Sequence, residues 1–226
     1  MRDSYHRFFS LGYISKEQFF DFGLKETIYA DLQKAQVAWK DLKQRISNGD
    51  PVFIRGYGRN AGGTHLFQEF YRHLLPNANV LKDPVNNTEP TKLIKQLTVY
   101  SKTKSLKHQG IINYQVSHVF GRTKNVYAFA APWNIALIPK IVDPLTGHEA
   151  KGEIVGEYTK LFQKQTYEYF RDQIDDFNRM MLENEFQKQT SDALAAMSAI
   201  GTFKPKEILK LAKSASEDFR PITISP

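Results

Sequence analysis

His118 closes a β-prone run, Gly110-Ile-Ile-Asn-Tyr-Gln-Val-Ser-His118, and Asn134 opens a second within Pro132-Trp-Asn-Ile-Ala-Leu-Ile-Pro139. A further histidine, His148, follows a short loop in Gly147-His-Glu149. That order of residue types is what a compact metal-dependent phosphodiesterase site requires. The charge around it agrees. From Pro90 to Val142 there is no Asp or Glu, while Lys92, Lys95, Lys102, Lys104, Lys107, Arg122, Lys124 and Lys140 supply positive charge. Clustered basic residues of this kind suit a polyanionic substrate. Beyond Val142 the sign reverses, with Glu149, Glu153, Glu157, Glu168, Asp172, Asp175 and Asp176 in quick succession.

The elements that must position these residues are legible from periodicity. Ser15 to Asn48 is helical in pattern, with a capping signal at Ser15-Lys-Glu-Gln18 and apolar residues from Phe19 to Ile46 at helical spacing. Val52-Phe-Ile54 is a short strand leading into a glycine-rich loop, Arg55-Gly-Tyr-Gly-Arg-Asn-Ala-Gly-Gly63, and Thr64 caps a helix over 65–75. Residues 77–87 read as loop, 90–98 as a short helix and 102–109 as an exposed basic loop. Strands are expected at Ile111–Val119 and Trp133–Ile138, joined by an arm over 120–132, and one long helix from about Gly152 to Gln189. Helical pieces follow at 192–200 and 205–213. The fold class expected is α+β and largely helical. It divides into an N-terminal helical and DNA-recognition region over 1–108, a core over 109–190 and a helical extension over 191–226, together one compact unit.

At 226 residues the chain is long enough to bury a real core, and 41% hydrophobic with 24% charged residues argues against wholesale disorder. The absence of cysteine excludes disulfides, zinc-cysteine sites and thiol catalysis. Met1-Arg-Asp-Ser-Tyr-His-Arg-Phe-Phe9 lacks the apolar run of a signal peptide, and no segment is long enough to span a bilayer, so a cytoplasmic protein without membrane contact is expected.

Other motifs carry less. The glycine-rich loop lacks the Gly-Lys-Ser/Thr ending of a nucleotide P-loop and the dinucleotide spacing. It is either a surface turn or, through Arg55, Arg59 and Asn60, a contact for phosphates or bases. Asp143 with Glu149-Ala-Lys151 superficially matches the Asp…Glu-x-Lys pattern of another nuclease class, but here it falls in a turn entering a helix, and coincidence explains it better. His6, His65, His73 and His108 have no partners at diagnostic spacing.

From Tyr114 to about Tyr158 the chain resembles the His-Me finger, or ββα-metal, nucleases, of which HNH endonucleases are the best-known members. There the first histidine ends one strand, the asparagine begins the next and the last histidine lies near a helix; His118, Asn134 and His148 match those positions. The run Asn134-Ile-Ala-Leu-Ile-Pro139 resembles the second strand of many such enzymes. Two departures stand out: Ser117 replaces an aspartate that many members carry before the first histidine, and the loop from Asn134 to His148 is longer than in compact motifs.

The resemblance implies His118 as the base that activates water, and Mg²⁺, or Mn²⁺, held by Asn134, Asp143 and His148. Asn134 either binds the metal or orients His118. Arg122 is placed to clamp a phosphate oxygen. Lys102, Lys104, Lys107 and Lys124 would hold neighbouring phosphates of double-stranded DNA, and Arg55, Arg59, Asn60, Gln68 and Arg72 are candidates for the groove. A site-specific endonuclease of the restriction type would act as a symmetric homodimer. The rivals are a non-specific nuclease or toxin domain, a non-catalytic basic nucleic-acid-binding protein, and an α-rich interaction protein.

Overall fold

The computed structural model describes residues 2–56, 63–103, 106–147 and 149–224. Helix α1 (Ser4–Ser10) is capped by Asp3, whose carboxylate accepts from the Tyr5 amide. Helix α2 (Lys16–Lys25) starts in the expected capping box, Ser15 with Gln18. Helix α3 (Leu32–Asn48) has its own cap at Asp31 and ends on Gly49, whose φ of 77° suits a residue without a Cβ. One helix expected over 15–48 is therefore two. Between them Ile28 makes a two-way backbone pair with Leu137, at 2.8 and 3.0 Å, and this tertiary pairing overrides the helical pattern.

Strand β1 (Pro51–Ile54) pairs in parallel with β2 (Asn79–Lys82), a strand in the stretch read as loop, and α4 (Thr64–Leu74) makes the crossover. The ladder runs on to Asp83, whose amide donates to the Ile54 carbonyl at 2.9 Å. Helix α5 (Thr88–Leu97) follows directly. A two-residue parallel pair, β3 (Tyr100–Ser101) with β4 (Gln109–Gly110), ties the ends of the basic loop.

Strands β5 (Tyr114–His118) and β6 (Ile135–Pro139) form an antiparallel pair in the register Tyr114↔Pro139 to His118↔Ile135. Single 3₁₀ turns occupy Pro132–Asn134 and Asp143–Thr146, and α6 (Glu153–Tyr169) packs back on the second of these. The long helix expected to Gln189 is broken. Phe170 separates α6 from α7 (Arg171–Leu182), and Glu183, at ψ 127°, separates α7 from α8 (Asn184–Ala199). Helix α9 (Pro205–Asp218) completes the chain.

Two buried clusters hold these elements. The larger gathers Trp39, Ile54, Phe70, Trp133, Phe177 and Phe219, so all three expected segments share one core. The smaller joins Ala136 and Ile138 of β6 to Val155, Tyr158 and Phe162 of α6, with Phe19 and Phe20 of α2 closing over them. The buried apolar residues of α6 and α7 pack into these two clusters. Among the described residues no helix is long and apolar enough to cross a membrane.

Candidate active site

His118 sits where the β5–β6 pair opens into the arm. Its side chain is 5% exposed, its ring stacks on Phe129 at 5.2 Å, and Nε2 lies 2.9 Å from the Phe129 carbonyl. A carbonyl only accepts, so Nε2 carries the proton and Nδ1 is the basic nitrogen of the neutral ring. The strand fixes one end of the residue and the arm fixes the other.

Asn134 explains why the arm holds still. It is fully buried, accepts from the Phe120 amide through Oδ1 at 2.9 Å, and donates through Nδ2 to the carbonyls of Gly121 and Ala128 at 2.9 and 3.0 Å. Its amide is consumed by the backbone of the arm that follows His118. Of the two roles open to Asn134, the geometry favours orientation over metal ligation.

The arm expected to reach for phosphates is interior. Tyr71 of α4 donates its hydroxyl to the Lys124 carbonyl and accepts from the Val126 amide, both at 2.8 Å. Val126, Ala128 and Phe129 are fully buried. Arg122 donates to the carbonyls of Glu217 and Pro221, and burial lowers the pKa of its guanidinium. Lys124 is 4% exposed, its ammonium bonded to the Arg55 carbonyl at 2.6 Å and to the Thr64 hydroxyl, and burial pushes it down to about 8. Both cations brace the fold, and neither lines the cleft at His118.

That cleft encloses about 210 Å³ between β5 and the ends of the β1–β2 pair. It is lined by His118, Asp143 and Glu149, by Arg55 and Asn87, and by Gln115, Val116 and Ser117 of β5. The parallel ladder determines this meeting. Arg55 directly follows β1 and the 83–87 turn directly follows β2, so the two chain ends emerge together. Gly56 permits the approach, because a Cβ there would stand 2.9 Å from the Asp83 carbonyl. Three buried polar atoms on these walls have no partner: Arg55 Nε, Asn87 Oδ1 and Ser117 Oγ.

The expected site residues thus divide. His118, Asp143 and Arg55 come together. Gln68 donates to the Val80 carbonyl at 3.3 Å and Arg72 pairs with Glu69, both on α4 and outside the cleft lining. Lys102 and Lys107 are exposed on the basic loop. Arg59, Asn60, Lys104 and His148 lie outside the described residues. Asn87 carries no sequence signal of a site, and Glu149, in a pattern that coincidence explains better from sequence, shares the cleft with Asp143.

Among the described residues no three carboxylates or imidazoles are grouped to hold an ion by themselves. Asp143 and Glu149 nevertheless both line one cleft, and magnesium is commonly bound by one or two carboxylates with waters and substrate phosphate. The donor chemistry fits such an ion.

Residues 30–224 match the family model described as "Uncharacterised protein PM1201". The chain is 45% identical over 181 residues to "Uncharacterized protein PM1201" of Pasteurella multocida (strain Pm70), covering 80% of each chain. No solved structure matches.

Proposed function

We propose that this chain, which belongs to the PM1201 family, is a metal-dependent endonuclease of DNA in which His118 is the general base. The observation that carries the reading is a histidine whose Nε2 donates to the Phe129 carbonyl, lining one cleft with Asp143 and Glu149, at the mouth of an antiparallel pair followed by a helix. A base must be fixed in tautomer before it can accept a proton from water, and here the backbone fixes it. Asn134 acts as a positioning residue, holding Phe120, Gly121 and Ala128 and with them the turn that carries Phe129. Asp143 and Glu149 would hold Mg²⁺ or Mn²⁺ in this site, which supplies neutralisation of charge developing at phosphorus and on the leaving oxygen. His148, by its place in the sequence, is a further candidate ligand. Lys102 and Lys107 supply exposed positive charge for neighbouring phosphates. The His-Me finger resemblance supports the same assignment of His118 and Asn134, and a restriction-type enzyme would use it as a homodimer.

Incubating the protein with plasmid DNA and Mg²⁺ and mapping the ends tests the reading. Discrete fragments support a site-specific enzyme, and a smear supports the non-specific nuclease or toxin form. DNA left intact with both Mg²⁺ and Mn²⁺ contradicts it.

A further inference from the structure

Asn87 occupies the N-cap position of α5, where an asparagine side chain ordinarily accepts from the first turn, yet it makes no capping bond. Asp83 does that work instead. Its buried carboxylate accepts from the amides of Val85 and Thr88 at 3.1 Å each and of Glu89 at 2.8 Å. The Asn87 side chain is thereby released into the cleft, where its Oδ1 is buried and unpartnered. Arg55 Nε and Ser117 Oγ are in the same condition, and Ser117 is only 4% exposed. Leaving a buried polar group unpaired costs about 1–3 kcal/mol, so three along one small cleft mark a place built to be filled.

We propose that Arg55, Asn87 and Ser117 form a subsite for a phosphate group beside His118. A guanidinium offers donors in a planar fork that matches phosphate oxygens, and a serine hydroxyl donates to another. The Asn87 carboxamide donates to a phosphate oxygen through Nδ2, while its Oδ1 accepts from a water ordered on the phosphate. No Phe, Tyr or Trp is among the described residues lining the cleft, whose polar groups suit a phosphate. That the phosphate belongs to DNA rests on the endonuclease reading; the subsite itself does not.

The test combines thermal denaturation with and without millimolar inorganic phosphate and fluorescence-anisotropy titration of a short DNA duplex in EDTA. It compares the wild type with Asn87→Ala and Arg55→Lys. Phosphate is expected to stabilise the wild type. Asn87→Ala is expected to keep or raise the ligand-free Tm, since Asp83 remains the cap and an unpaired buried acceptor is removed, while losing most of the phosphate shift and about tenfold in DNA affinity. Arg55→Lys keeps the charge but loses the fork, and is expected to bind more weakly too. If Asn87→Ala lowers the ligand-free Tm and leaves both binding measurements unchanged, Asn87 is structural and the subsite is overturned. Phosphate stabilisation that depends on Arg55 and Asn87, without DNA binding, would uphold the subsite and sink the endonuclease. DNA bound equally by all three proteins would sink the subsite alone, and no response to either probe would sink both.

Discussion

Asn134 contributes at a single residue what a longer arm would otherwise need several contacts to do. Truncating it to alanine leaves one amide and two carbonyls without their side-chain partner, at about 1–3 kcal/mol for each one left buried and unsatisfied. We expect Asn134→Ala to lose about 3 kcal/mol of stability by denaturant titration, with cleavage falling because the Phe129 carbonyl drifts from His118. The places of His118 at the end of one strand and of Asn134 just before the next were legible because β-prone apolar runs adjoin both. Arg122 and Lys124 misled for a physical reason. A charged side chain next to a catalytic histidine is assumed to face water, and its burial depends on contacts with Thr64, Glu217 and Pro221, far away in sequence. The apolar run Val126-Tyr-Ala-Phe-Ala-Ala131 was the available sign that the arm turns inward.

Packing between α2 and α6 brings Gly23 against Tyr158, so that a Cβ at position 23 would run into the Tyr158 hydroxyl and lie 3.0 Å from Val142 Cγ1. Gly23→Ala is expected to destabilise by about 1–3 kcal/mol through overpacking. The Tyr158 hydroxyl is itself buried without a partner. Tyr158→Phe should therefore hold or raise the Tm, and in the double variant it should recover part of the Gly23→Ala loss; a Tm drop for Tyr158→Phe alone would contradict this. At this scale the sequence conveyed most elements but not their breaks. The cap at Ser15 and Gly49 after α3 are local chemistry and could be read, whereas Thr64, expected as a cap, is the first residue of α4 and follows Gly63 at the N-cap, with its hydroxyl donating to the Arg55 carbonyl. The break at Ile28 comes from pairing with Leu137, and β2 gains its partner only when α4 returns the chain to β1, so neither has a local signature.

For the molecule as a whole, the C-terminal segment acts as a brace. Asp218 accepts from the Lys124 amide at 3.0 Å, its carbonyl accepts from Asn125, and Asn178 exchanges hydrogen bonds with Ile222 at 2.9 and 2.7 Å. Burial pushes the Asp218 carboxyl up to about 6 and the Lys124 ammonium down to about 8. Above its ordinary value of 3.8 and up to about 6, Asp218 holds its proton more tightly in the fold than in the unfolded chain. Its contribution therefore weakens stability as pH rises through that window. Lys124 binds its proton less tightly when folded, so its contribution strengthens stability as pH rises from about 8 towards 10.5. Asp218→Asn keeps the acceptor and removes the titration. The Tm advantage of wild type over this variant is expected to shrink between pH 4 and 6, and a difference independent of pH would contradict the assignment.

The central claim is that His118 takes the proton from the attacking water, and single-turnover cleavage of DNA in Mg²⁺ by the wild type and by His118→Ala tests it most directly. The expected result is a loss of about 10²–10⁴-fold in rate, with DNA affinity in EDTA and the circular dichroism spectrum unchanged. Equal rates for the two folded proteins would contradict the account.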